Sequence, residues 1–147
     1  MREIKFRGKR VDNVEWVEGS LAQVEYNNYT ACFIVSIKDS WDIFDEEQNE
    51  GAIYGFIEVI PETVSQFTGL KDKNGKDIYE GDIFLNHSSG WTGNKYIVAW
   101  EGSGFKWVKI FDAHLGISPT KRITSNMFLY DELEVIDNIH DNPELLE

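Results

Sequence analysis

The chain has 147 residues, with 26 Asp and Glu against 14 Lys and Arg, for a net charge of −12. It is 41% hydrophobic and 14% aromatic, which excludes wholesale disorder. No apolar run approaches the ~20 residues of a membrane span, so a membrane partner is not expected.

The first ten residues hold Arg2, Lys5, Arg7, Lys9 and Arg10 against one acid, Glu3. No apolar stretch follows them, so no secretory signal is expected. Ile4-Lys5-Phe6-Arg7 alternates apolar with basic, the period of a half-buried strand. Two readings of this basic strand stay open. It is neutralised by acidic neighbours, in the fold or in a second copy, or it touches an anionic ligand through Lys5, Arg7 and Lys9.

Residues 16–21, 29–37, 53–60, 82–85, 95–100, 105–111 and 128–136 read as further strands, rich in aromatic and β-branched side chains. Cys32 lies in the second of these. As the chain's single cysteine it can form no intramolecular disulfide, and it reads as a small buried hydrophobe. Residues 39–50 hold six acids and no base, with Trp41 as an aromatic anchor for a partner or a cover for the sheet. Pro61-Glu62-Thr63-Val64-Ser65-Gln66-Phe67 reads as a two-turn helix, with Pro61 at its first position and Gly69 just past its end. Asn74-Gly75 has the residues of a type I′ hairpin turn. Pro143 is placed to open a last helical turn after Asn142.

The expected fold class is therefore mainly β, in small SH3-like barrel units with a few short helices. The halves also rhyme. Phe6-Arg7-Gly8 is echoed by Phe67-Thr68-Gly69, Asn13 by Asn74, Trp16–Leu21 by Ile78–Ile83, and Ile57–Ile60 by Leu133–Ile136. The expectation is one domain over 1–147 that contains a repeat, residues 6–60 and 67–136.

Candidate chemistry is sparse. His87, His114 and His140 have no metal-ligand spacing, and no phosphate-loop or nucleophile-elbow run occurs, so neither a metal nor a cofactor is expected. Glu80 and Asp82 flank Gly81 and can do acid–base work or tie up a turn. The polar, glycine-rich loop of residues 86–94 carries His87 and Trp91, and is the best candidate binding surface.

Three phrases resemble the YopX family of phage and prophage proteins. They are Met1-Arg2-Glu3-Ile4-Lys5-Phe6-Arg7-Gly8-Lys9, the central Gln66-Phe67-Thr68-Gly69-Leu70-Lys71-Asp72-Lys73-Asn74-Gly75-Lys76-Asp77-Ile78-Tyr79-Glu80-Gly81-Asp82, and the closing Leu133-Glu134-Val135-Ile136-Asp137-Asn138-Ile139-His140-Asp141-Asn142-Pro143-Glu144-Leu145. The resemblance implies a mainly β fold and a mobile-element origin in a bacterial cytoplasm, which is the expected location, and it brings no catalytic residues. The reading favoured by these features is a non-catalytic protein-binding or adaptor module whose partner presents a basic surface. Two alternatives are kept: an enzyme with a dispersed carboxylate and histidine site, and nucleic-acid binding through the basic strand, which the acidity disfavours. Exposed strand edges would also favour a homo-oligomer.

Overall fold

The computed structural model describes residues 3–36, 55–86, 95–109 and 133–146. The chain folds as two compact units, Met1–Gln66 and Phe67–Glu147.

In the first unit β1 (Phe6–Lys9), β2 (Trp16–Glu25), β3 (Thr30–Val35) and β4 (Phe56–Val59) form an antiparallel meander. The period of two sorts their side chains. Val17, Cys32, Ile34 and Val59 form the core, with Phe6, Leu21, Ile57 and Val64 packed against it. Cys32 is thus one of the core hydrophobes. A bridge between Arg10 and Val59, with the Ile60 N–H donating to the Lys9 carbonyl at 2.8 Å, draws the end of β4 towards the end of β1.

In the second unit β7 (Asp82–Asn86), β8 (Lys95–Glu101), β9 (Gly104–Lys109) and β10 (Leu133–Asn138) pair in the order β10-β7-β8-β9. Phe84 stacks on Tyr96 and meets the Trp107 ring edge-on at 4.9 Å. With Ile78, Val98, Leu133 and Val135 they make this unit's core. The two sheets are antiparallel, and neither closes into a barrel among the described residues. The expectation of a mainly β fold is therefore met, and that of closed SH3-like barrels is not.

Three local expectations change. The helix expected over residues 61–67 is a 3₁₀ turn, Pro61–Thr63, followed by β5 (Ser65–Lys71). Val64 is extended, and Ser65 and Gln66 pair with β1, so strand pairing outweighs the helix-start signal of Pro61. Gly69, with φ +89, is not a helix end but lies where β5 shifts register against β6 (Asp77–Tyr79). At Asn74-Gly75 only the glycine has positive φ, +81, so the turn is not type I′. The Asp72 carboxylate instead accepts the Asn74 and Lys76 amides at 2.8 and 2.9 Å, and Gly75 supplies the left-handed residue. The glycines of the rhyme also differ: Gly19 lies inside β2, whereas Gly81 has φ +80 in the turn before β7. Pro143 does open a short 3₁₀ turn, Pro143–Leu146.

The loop from β1 to β2 carries backbone strain. Its ends are tied by the Arg10 N–H to the Glu15 carbonyl, and Arg10 pairs with Asp12 at 2.6 Å. That hydrogen bond holds the Asp12 carboxyl below its usual range. Val14 sits at φ +63, where a β-branched side chain crowds its own backbone. It is 54% exposed, so little packing depends on it. Val14→Asn should stabilise the first unit by about 1 kcal/mol, read as a raised urea midpoint with an unchanged slope.

Candidate functional site

The hairpin register places Phe6 opposite Gly19 and Lys9 opposite Trp16. Alternation then puts Lys5, Arg7 and Lys9 on one face of β1 and Phe6 and Gly8 on the other. On β2 the same outer face carries Trp16, Glu18 and Ser20. The Arg7 guanidinium lies 4.5 Å from the centre of the Trp16 ring, and the Lys9 ammonium 5.5 Å from it. Such contacts contribute roughly 0.5–2 kcal/mol, the more so where the cation is buried as Arg7 is. The Lys5 ammonium stands 3.8 Å from Glu3 and 4.0 Å from Glu18.

Beside this face lies a cleft of about 740 Å³. Glu3, Ile4 and Lys5 form one wall, Trp16 to Ser20 of β2 the floor, and Val35 and Ser36 at the end of β3 the other wall. Its lining is mixed: Ile4, Trp16, Val17 and Val35 are apolar, while Glu3, Lys5 and Glu18 are charged. At Gly19 in this floor β2 passes too close to the Val35 carbonyl to admit a Cβ. The arrangement suits an amphipathic chain segment, with apolar side chains in the cleft and polar ones along its rim.

Of the residues expected from sequence, Lys5, Arg7 and Lys9 share this face, Arg7 and Lys9 over Trp16 and Lys5 beside Glu3 and Glu18. Trp41, His87 and Trp91 lie outside the described residues. In the sequence Trp16, Glu18 and Gly19 show only as strand residues; what joins them to the cations is the register set by the β1–β2 loop. The acid–base alternative meets a different geometry. Asp82 is 1% exposed and accepts the Tyr79 N–H at 2.8 Å, as expected of a turn-forming carboxylate. Glu80 accepts the Trp100 N–H at 3.2 Å. His140 does approach this turn: its Nε2 would lie 3.6 Å from a Cβ on Gly81. Among the described residues no three His, Cys, Asp or Glu side chains gather as a metal site. No helix of the described residues is long and apolar enough to cross a membrane.

Comparison with known proteins bears on the whole length. The YopX family, described as YopX protein, matches residues 5–147. The crystal structure of protein EF1440 from Enterococcus faecalis is similar at 26% identity and a TM-score of 0.52, with 100% of each chain covered. No curated protein matches the chain.

Proposed function

The chain belongs to the YopX family, and we propose that it is a non-catalytic protein-binding or adaptor module of phage or prophage origin, acting in the bacterial cytoplasm. The observation that carries this reading is the mixed apolar and charged cleft of the first unit, lined by Lys5, Trp16 and Glu18. The carboxylates that an enzyme reading needs, Asp82 and Glu80, accept hydrogen bonds from backbone amides instead. Nucleic-acid binding through Lys5, Arg7 and Lys9 is the weaker reading. Arg7 is buried, Lys5 stands between two carboxylates, and the whole chain carries −12.

The test is affinity capture from a bacterial lysate, followed by reconstitution with the purified protein that is retained. The expected result is one protein that binds stoichiometrically to the chain and is lost with Trp16→Ala. Failure of every retained protein to bind after purification overturns the reading. So does duplex or single-stranded DNA binding that survives 200 mM salt.

A further inference from the structure

We propose that β2 offers an open strand edge, Leu21 to Glu25, to an extended lysine- or arginine-bearing segment of a protein partner, which adds beside it as a further strand. The inference rests on the protein-binding reading and assigns it a place and a chemistry.

β2 changes partners along its length. Trp16 to Gly19 pair with β1, and Ser20 to Glu25 pair with β3 on the other side. β1 begins at Phe6, opposite Gly19, so beyond Gly19 the β1 side of β2 pairs with no strand among the described residues. The hairpin end shows which backbone groups face that side. The Tyr26 N–H donates to the Tyr29 carbonyl at 2.8 Å, which makes these two a hydrogen-bonded pair. In an antiparallel ladder such pairs recur at every second residue. Val24, Ala22 and Ser20 therefore direct their backbone groups to β3. Leu21, Gln23 and Glu25 direct theirs away from it, along the line that β1 occupies at Val17 and Gly19. Gln23 and Glu25 are exposed. A row of outward amides and carbonyls at a fixed spacing is what an added strand pairs with.

The charges select the occupant. Glu25 is exposed on this edge, whereas Glu18, which with Glu3 flanks Lys5, lies where β2 pairs with β1. A strand that places a Lys or Arg opposite Glu25 meets that carboxylate, and its positive charge suits a chain of net charge −12. A second copy of the chain fits worse. A twofold pairing of this edge centred on Gln23 sets Leu21 against the other copy's Glu25. It also brings together two chains that each carry −12.

Amide hydrogen exchange on the full chain tests this, with acetyl-Lys-Val-Lys-Val-Lys-Val-amide as the probe and its Glu-Val counterpart as the control. In the free chain the Leu21, Gln23 and Glu25 amides should exchange faster than those of Ala22 and Val24. The Lys-Val peptide should slow them at least about tenfold, and the Glu-Val peptide should not. Gln23→Pro removes one outward N–H while sparing the β3 ladder, and should weaken the peptide at least about tenfold. If that variant does not fold, N-methylating alternate peptide nitrogens gives the same reading: one set abolishes binding and the other leaves it. The proposal is overturned if the three amides are already as protected as their neighbours in the free chain. It is equally overturned if neither change affects binding, or if the chain sediments as a dimer whose dilution exposes the edge. A partner from the lysate that Gln23→Pro still binds would leave the adaptor reading standing and remove the edge assignment. Peptide addition with no protein partner would do the reverse.

Discussion

Asp72→Ala should destabilise the second unit by about 3–4 kcal/mol, a large share of the 5–15 kcal/mol that holds a domain together. The Asp72 carboxylate is 7% exposed and accepts three backbone amides. Asn74 and Lys76 donate to Oδ1 at 2.8 and 2.9 Å, which shapes the turn between β5 and β6. Val135 donates to Oδ2 at 3.1 Å, from a strand 63 residues further on. Hydrogen bonds to a charged group are worth about 1.5–3 kcal/mol each, and a buried amide left without a partner costs a further 1–3 kcal/mol. The two turn amides can recover water, whereas Val135 is buried and cannot. Asp72→Asn should cost less, about 2 kcal/mol, because its amide oxygen still serves the turn while its NH₂ confronts the Val135 donor.

The same carboxylate makes a pH signature. Burial raises its pKa, but the amides of Lys76, Val135 and Asn74, with the Lys76 charge, outweigh that and hold it below the usual range. A folded-state pKa below the unfolded value of about 3.9 means that the stabilisation is complete above that pH. It is lost as pH falls from there through the folded value. Urea unfolding at pH 7 and pH 3 should therefore show a smaller gap between wild type and Asp72→Asn at the acid end. An equal gap at both pH values would show that folding does not lower the pKa of this carboxyl.

Asp72 also shows why part of the fold was legible in the sequence and part was not. Strands β1–β4 and β7–β10 are written in local alternation, and local alternation survives folding. The role of Asp72 depends on Val135, and no local pattern joins them. β5 was hidden for a different reason: Pro61 and Gly69 are helix punctuation that here serve a 3₁₀ turn and a register shift. At the candidate site, the period of two gathers Lys5, Arg7 and Lys9 on one face from sequence alone. That Trp16 receives two of them depends on the loop from Arg10 to Glu15, whose closure includes a valine in the left-handed region. The open edge of β2 is less legible still, since it arises from β1 ending its pairing at Phe6 while β2 runs on to Glu25.

Gly19→Ala should be the most damaging single change in the first unit. A Cβ at this position would lie 2.1 Å from the Val35 carbonyl oxygen and 2.7 Å from its carbon, both backbone atoms that no rotamer change can move. The Gly19 φ is not in the left-handed region, so the requirement is for space and not for conformational freedom. The crowding sits where β2 passes from β1 to β3, and relieving it means displacing the end of β3 from the Ser20–Val35 pair. Ile34, wholly buried beside it, would lose its packing in the same movement. Overpacking against side chains costs about 1–3 kcal/mol, and overpacking against a paired backbone belongs at or above the top of that range. Gly104→Ala is the matched control. A Cβ there meets nothing within 4 Å, so its midpoint should stay within about 0.5 kcal/mol of wild type or rise slightly. Urea titration of each variant, followed by tryptophan fluorescence, separates the two cases. A fully stable Gly19→Ala chain would mean that β2 does not approach β3 so closely at its change of partner, and the cleft floor built on that approach would go with it.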